Sequence, residues 1–207
     1  MTPTAARHLY LVRHGEALPD ESGLSHNGRR QAALLGRRLA KHPISVVHHG
    51  PLPRAAQTAE LIGEHLDGAV LRVSEAAGDY VPYVPRREEL PSDSADHFLR
   101  FLAGATAEDR ERGPELAERA LAQFTGPAEG DQERHEVVVT HNFLIGWLVR
   151  HAMDAPKWRW LGLNHGNAAL TVIRYAPGRP SSVLVHNDMR HLPAELCWSG
   201  FPAELRL

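Results

Sequence analysis

Short apolar runs alternate along this chain with longer segments in which apolar residues recur at helical spacing. The apolar runs predict strands over residues 8–13, 44–48, 69–73, 136–140, 168–175 and 182–186. The helical spacing predicts helices over residues 25–41, 54–66, 96–103, 114–124 and 143–151. Because strands alternate with helices, the pattern favours an α/β sandwich with a largely parallel sheet.

Two stretches of the chain do not fit either periodicity. Residues 75–94 contain Gly78, Pro82, Pro85 and Pro91, so they cannot form a regular helix. Long irregular segments inside compact domains are often functional, although a plain surface insertion is the alternative. The charged residues 108–112 are expected to be a solvated linker between two helices, and residues 176–180 a hairpin turn.

Length and composition narrow the class of protein. Residues 1–207 are expected to form a single domain, and a hydrophobic content of 43% is ordinary for a globular chain. The net charge of −2 gives no support for a nucleic-acid partner or an anionic membrane surface. Cys197 is the only cysteine and no apolar leader is visible at the start, so we expect a cytoplasmic protein with a packed, inert thiol.

The 14 histidines raise the question of a metal site. Metal ligands usually show a recognisable spacing, such as His-Glu-x-x-His on a helix, and that spacing does not occur in this sequence. His48 and His49 are neighbours, but adjacent residues of a strand point to opposite faces. We therefore expect neither a metal nor a cofactor.

The first predicted strand ends in Arg13, His14 and Gly15. Ligands of open α/β sheets bind at the carboxyl ends of strands, so an arginine beside a histidine there predicts an anion site with a nucleophile or proton carrier. Gly15 would let the backbone pass close to the anion. The alternative is a strand that merely ends in polar residues.

Three further segments follow in order: Ser-His-Asn-Gly-Arg-Arg-Gln at 25–31, Gly-Pro-Leu-Pro-Arg-Ala-Ala-Gln-Thr-Ala at 50–59 and Val-Val-Val-Thr-His-Asn at 137–142. Together with Arg-His-Gly, they resemble the histidine phosphatase superfamily, the phosphoglycerate mutase-like enzymes. The resemblance implies a three-layer α/β/α sandwich with a mixed, mostly parallel sheet and an active site at the strand ends.

The resemblance also implies roles for individual residues. His14 corresponds to the nucleophile that forms phosphohistidine, Arg13 and Arg54 to the arginines that hold the phosphoryl oxygens, and His141 to the second histidine of the pocket. Two positions depart from the family pattern. Gly50 replaces a frequent serine, and Asn142 replaces a glycine and could reach the phosphate or the substrate.

The general acid is less clearly marked. Glu75 fits the family pattern of an apolar residue, any residue and then glutamate after the third strand, and Asp79 is a rival in the following loop. The expected substrate-binding residues are Gly15, Ser25, Asn142 and Asp79. Asn167 is similar to a family asparagine near the site.

These observations predict a metal-independent phosphatase that hydrolyses a small phosphomonoester through phosphohistidine on His14. A phosphoglycerate mutase is the main alternative, and a protein phosphatase and a non-catalytic phosphate-binding module are others. The expected partner is a small phosphorylated substrate, with no nucleic acid and no membrane. The sequence leaves the oligomeric state open, with a homodimer as one option.

Overall fold

The computed structural model describes residues 3–199, 201–202 and 204. Its strands are β1 (Thr4–Ala5), β2 (Arg7–Arg13), β3 (Ile44–His49), β4 (Val70–Val73), β5 (Ala128–Glu129), β6 (Arg134–Thr140), β7 (Leu170–Tyr175) and β8 (Ser182–Asp188). Its α-helices are α1 (His26–Leu39), α2 (Pro53–Gly63), α3 (Ala95–Phe101), α4 (Ala107–Phe124) and α5 (Asn142–Ala152). Among the described residues, none of the helices has the length and apolarity that crossing a membrane requires.

Six strands form one mixed sheet in the order β4-β3-β6-β2-β7-β8. The first four strands of this order run parallel, β7 pairs antiparallel with β2, and β8 pairs antiparallel with β7. The mixed, mostly parallel sheet is therefore confirmed. The two-residue strands β1 and β5 form a separate antiparallel pair that the sequence analysis did not predict.

Side chains of the central strands enter two cores, one on each face of the sheet. Along β2, Leu9 and Leu11 face a core that contains Phe124 of α4 and Trp147 of α5. Tyr10 and Val12 face the opposite core, which is built with residues of α1 and α2. Because both faces are covered by helices, the predicted three-layer α/β/α sandwich is confirmed.

Helix α1 begins where the sequence predicts it. The Ser25 hydroxyl accepts a hydrogen bond from the Gly28 amide at 3.0 Å, so Ser25 caps the first turn. The helix ends at Leu39, shortly before Pro43, which cannot continue it.

The prediction that residues 108–112 form a linker is wrong. Helix α4 runs without interruption from Ala107 to Phe124 and includes Pro114. Thr106 and Asp109 bond each other's backbone amides in a capping box, which fixes the helix start seven residues before the proline. The residue before Pro114 is Gly113, which has no Cβ to clash with the proline ring.

The segment from 75 to 94 is irregular, as predicted, with short 3-10 turns at Glu75–Ala77 and Arg87–Glu89. The Thr140 hydroxyl at the end of β6 donates a hydrogen bond of 2.7 Å to the Ala77 carbonyl. Gly50 lies against the same carbonyl, and a Cβ at Gly50 would come within 2.5 Å of its oxygen. These contacts hold the start of the segment against the carboxyl edge of the sheet.

Candidate active site

The carboxyl ends of the adjacent strands β3, β6 and β2 carry the predicted catalytic residues. Arg13 ends β2 and His14 follows it, Arg54 lies in the first turn of α2 after β3, and His141 precedes α5 after β6. A cavity of about 280 Å³ opens at this edge, lined by Arg13, His14, Glu16, Ala17, Glu21, Arg54, Asp79 and Asn167. The fold therefore brings Arg13, His14, Arg54 and Asp79 together.

His14 is held as a neutral imidazole with one defined tautomer. Its Nδ1 lies 2.7 Å from the Gly15 carbonyl oxygen, which can only accept, so Nδ1 carries the proton and Nε2 carries the lone pair. The side chain is buried, and this burial, followed by the charges at His141 and Arg13, holds the pKa of His14 well below 6.5. A neutral Nε2 is the form that can act as a nucleophile.

The backbone of His14 is fixed on both sides. Its amide donates to the Thr140 carbonyl at 3.0 Å. Its carbonyl accepts from Asn167 Nδ2 at 3.0 Å and from the Ala168 amide at 3.3 Å. The ring is thus positioned by β6 on one side and by the turn before β7 on the other.

Gly15 is required by close packing against α1. A Cβ at Gly15 would lie 2.6 Å from the Gly28 carbonyl oxygen. The Gly15 amide donates a hydrogen bond of 3.0 Å to Thr58 Oγ1. Thr58 in turn donates to the Arg54 carbonyl at 2.7 Å. Gly15 itself does not line the cavity, so its visible role is to join β2 to α1 and α2.

The two arginines are anchored differently. Arg13 Nη1 donates to the His165 carbonyl at 2.7 Å, and its guanidinium lies over the Phe201 ring at 4.9 Å. Burial lowers the pKa of Arg13 to about 10, so it stays charged at neutral pH. Arg54 is buried, and its two terminal nitrogens bond Glu21 at 3.1 Å and Asp79 at 2.7 Å.

His141 lies beside the cavity with its ring centroid 5.0 Å from that of His14. Its side chain is 2% exposed, and neither ring nitrogen has a hydrogen-bond partner within the described part of the chain. Burial, followed by the charges of Arg54 and Arg13, lowers the pKa of His141 to about 3. A buried polar ring without a partner is costly, which points to a ligand that completes its hydrogen bonding.

The two candidate general acids, Asp79 and Glu75, lie at different positions relative to the cavity. Asp79 Oδ2 lies 2.7 Å from Arg54 Nη2 and 3.4 Å from His141 Nδ1, inside the cavity. Glu75 instead pairs with Arg112 at 3.4 Å, its side chain is 53% exposed, and it does not line the cavity. The structure brings Asp79 to the predicted catalytic residues and leaves Glu75 outside.

Two predicted substrate-binding residues, Ser25 and Asn142, do not line the cavity and instead form hydrogen bonds to residues beside it. Asn142 Oδ1 accepts from the backbone amide of His165 at 2.8 Å and lies 3.0 Å from His165 Nδ1. Ser25 donates to Glu16 Oε1 at 2.6 Å in addition to capping α1. Asn142 thus fixes the loop that receives Arg13, and Ser25 fixes Glu16 of the cavity wall.

Sequence reasoning missed three residues of the site: Glu21, Thr58 and His165. Thr58 lies in the matched segment four residues after Arg54, so helical spacing could have placed it on the same face. Glu21 and His165 lie in loops, and no periodicity relates them to Arg54 or Arg13. Their contacts depend on how the loops fold over the sheet edge.

The chain is similar to proteins of one family. The family model of the histidine phosphatase superfamily (branch 1) matches residues 9–188. The mitochondrial serine/threonine-protein phosphatase Pgam5 of Caenorhabditis elegans is 30% identical over 198 residues, covering 92% of this chain and 66% of that protein. PGAM5 of Xenopus laevis is 27% identical over 202 residues, covering 93% and 69% respectively. The chain thus spans about two thirds of the length of these curated relatives.

Solved structures share the fold. A mycobacterial glucosyl-3-phosphoglycerate phosphatase is 25% identical, with a TM-score of 0.59, and the match covers 88% of this chain and 99% of that one. The phosphoglycerate mutase of Plasmodium falciparum is 19% identical, with a TM-score of 0.62, and the match covers 92% and 96%.

Proposed function

Because the chain belongs to the histidine phosphatase superfamily, we propose that it hydrolyses phosphate monoesters through a covalent phosphohistidine on His14. One observation carries the proposal. The Gly15 carbonyl holds Nδ1 of a buried, neutral His14 at 2.7 Å, which leaves the Nε2 lone pair for the cavity that Arg13 and Arg54 line. A nucleophile between two fixed cations suits a tetrahedral dianion.

In the first step, His14 Nε2 attacks phosphorus and the bond from phosphorus to the leaving oxygen breaks. Asp79, as the carboxylic acid, donates its proton to that oxygen, and the alcohol leaves. In the second step, a water molecule attacks the phosphohistidine while the Asp79 carboxylate takes up one of its protons. Inorganic phosphate leaves, and His14 returns to its neutral form.

The cations and donors stabilise charge on the transferring phosphoryl group. Arg13 and Arg54 line the cavity with guanidinium donors, and His141 offers a ring N–H that has no other partner among the described residues. Fixed donors of this kind supply the charge that a metal ion provides in other phosphoryl-transfer sites, so the proposed reaction needs no metal.

Asp79 is the acid that we propose, because of its position beside Arg54. Its carboxylate bonds Arg54 Nη2, where a phosphoryl oxygen of the substrate would bind. A bound dianion would displace Asp79 from Arg54 and place a second negative charge beside it. The displaced carboxyl group of Asp79 would then be free to carry a proton to the leaving oxygen.

The proposed substrate is a small phosphomonoester. A phosphorylated serine or threonine of a protein is a second candidate, favoured by the similarity to the serine/threonine-protein phosphatase Pgam5. A panel of phosphorylated metabolites and of phosphoserine and phosphothreonine peptides, compared by kcat/KM, distinguishes the two. Release of inorganic phosphate identifies a hydrolase, whereas transfer to an added alcohol of the substrate class identifies a mutase.

The covalent step is tested by trapping. Brief incubation with a labelled substrate followed by denaturation should leave acid-labile label on His14, and His14→Ala should lose both label and turnover. His49→Ala is the matched control, because His49 Nδ1 makes the same contact to its neighbouring Gly50 carbonyl, at 2.9 Å, but does not line the cavity. Label on serine, threonine or cysteine, or turnover by His14→Ala, would contradict the proposal.

A further inference from the structure

The amino end of the sheet carries a cluster of titratable side chains that the proposed reaction does not use. His8 of β2 and His135 of β6 are paired in register on adjacent parallel strands, so their side chains share one face of the sheet. Their rings lie parallel, with an interplanar angle of 1° and centroids 4.4 Å apart. Glu133, just before β6, brings its carboxylate to 3.7 Å from His8 Nε2.

One ligand atom from each of His8, Glu133 and His135 lies within 4.8 Å of the other two. Around a tetrahedral zinc ion, ligand atoms at about 2.1 Å from the metal are separated by about 3.4 Å. Glu133 is free to close part of the remaining gap, since its side chain is 59% exposed. Because an imidazole binds a metal in the plane of its ring, at least one of the two parallel rings would also have to rotate out of the stack to reach the same ion.

A neighbouring tyrosine orients one of the histidines. The Tyr10 hydroxyl lies 3.0 Å from His135 Nδ1. When Nδ1 donates to this oxygen, the lone pair of His135 is on Nε2. A hydrogen bond to the second ring nitrogen is the usual way in which proteins orient a metal-binding histidine.

We propose that His8, Glu133 and His135 form a binding site for one divalent transition-metal ion of the zinc type. Two imidazoles and a carboxylate are ligands that suit such ions, and water can complete the coordination. His42, whose ring centroid lies 5.3 Å from that of Tyr10, is a further imidazole on the same side. Arg174 of β7 is paired in register with His8 on the other side of β2, so a bound metal ion would have one cationic side chain on a neighbouring strand.

The site is distinct from the catalytic cavity. His8 and His14 are six residues apart along an extended strand, which corresponds to about 20 Å. A metal at the amino end would tie β2 to the segment that enters β6, and it would bind only where folding has aligned the two strands. The expected effect of the metal is therefore on stability, because a ligand that binds only the folded state raises the melting temperature.

The test uses the full chain, first freed of metal with a chelator that is then removed. Titration with Zn²⁺ in a calorimeter should show one ion bound per chain. Zn²⁺ at about 100 times its dissociation constant should raise the melting temperature by roughly 5 to 10 °C. At the same Zn²⁺ concentration, His8→Ala and His135→Ala should each weaken binding at least tenfold and reduce this rise to about half or less. Glu133→Gln should also weaken binding, without disturbing the fold, because the side chain is exposed.

Two controls make the outcome decisive. His97→Ala, which removes an exposed histidine of α3, should keep the stoichiometry and the rise in melting temperature, and His14→Ala should keep them too. The proposal is overturned if the wild-type chain shows no rise, or if His8→Ala and Glu133→Gln respond to Zn²⁺ as the wild type does. Loss of the rise in His14→Ala, with retention in His8→Ala, would place the ion in the catalytic cavity and would equally overturn it.

Discussion

One carboxylate oxygen of Asp79 lies 2.7 Å from the Arg54 guanidinium and 3.4 Å from Nδ1 of the neutral His141 ring. Arg54 is also paired with Glu21, so each of its two terminal nitrogens bonds a carboxylate. A phosphate group must therefore exchange with Asp79 and Glu21 on Arg54. The two carboxylates compensate the charge of the buried guanidinium, and a phosphate dianion can take over that role.

The first prediction concerns the leaving group. If Asp79 protonates the leaving oxygen, Asp79→Asn should slow the hydrolysis of alkyl phosphates by about 10² to 10⁴-fold, the usual contribution of a general acid. Nitrophenyl phosphate should be nearly unaffected, because its leaving group needs little proton assistance. The measurement is kcat/KM for both substrates at one pH.

Glu75→Gln is the matched control for Asp79→Asn, since Glu75 lies in the same segment but pairs with Arg112 outside the cavity. It should behave as the wild type with both substrates. A selective loss of alkyl phosphate hydrolysis in Glu75→Gln, with a normal Asp79→Asn, would reverse the assignment.

The residues of the site divide into those that local sequence identifies and those that it cannot. Arg13, His14 and His141 follow apolar strands directly, so the strand direction places them at the sheet edge. The choice between Glu75 and Asp79 depends on how a 3-10 turn and a glycine direct the chain after β4, and periodicity does not report that path. Asn142 illustrates the same limit, because its contact with His165 joins the start of α5 to a loop 23 residues later.

At the scale of elements, α4 supports the irregular segment that carries Asp79. Gly113 of α4 is buried against the Val81 carbonyl, two residues beyond Asp79, and a Cβ at Gly113 would come within 2.0 Å of that oxygen. A close approach of this kind needs a glycine, although glycine weakens a helix interior. The helix and the segment can pack together only because position 113 lacks a side chain.

We predict that Gly113→Ala lowers the free energy of unfolding by about 1 to 3 kcal/mol, the usual cost of forcing extra volume into a packed interior. Alanine improves helix propensity by only about 1 kcal/mol, so the clash outweighs the gain. The measurement is urea unfolding of the variant and the wild type. Gly104→Ala is the control, since a Cβ there would meet no atom within 4 Å. If Gly113→Ala were more stable than the wild type, the irregular segment that contains Val81 would have to move away from α4 at little cost, and the prediction would be wrong.

The elements themselves were largely predictable. All six strands of the main sheet and the positions of the helices, apart from the start of α4, follow from apolar runs, helical spacing and the breaks at Pro43 and Pro177. The linker prediction at residues 108–112 failed because polar residues on an exposed helix turn look like a loop, and because Pro114 suggested a helix start. The pair of β1 and β5 escaped detection because two-residue strands have no periodicity.

At the scale of the whole molecule, the fold buries several histidines in the neutral form. Burial lowers the pKa of His48 and His191 to about 4, and of His141 and His165 to about 3. His14 is shifted in the same direction, mainly by burial. His14, His141 and His165 lie around the candidate active site. His48 packs against Phe124 and His191 contacts Arg38 elsewhere in the fold, so protonation of buried histidines affects the folded molecule in more than one place.

The last prediction follows from these lowered pKa values. In the unfolded chain, histidines protonate near pH 6.5, whereas the buried histidines of the folded state resist protonation until the pH reaches about 4 or 3. Between those values the unfolded state binds more protons than the folded state, so the free energy of unfolding must fall as the pH falls. Each such histidine can contribute up to about 1.4 kcal/mol per pH unit.

We therefore expect urea unfolding of the metal-free chain to show a loss of several kcal/mol between pH 7.5 and pH 5.5, a range of about two units in which most carboxylates remain ionised in both states. His48→Gln should reduce the slope of stability against pH, because it removes one buried titrating ring. The centroid of this ring lies 5.4 Å from that of Phe124. His97→Ala, which removes an exposed histidine, should leave the slope unchanged. Equal stability at the two pH values would mean that the buried histidines are protonated in the folded protein, and the neutral nucleophile assigned to His14 would then need to be reconsidered.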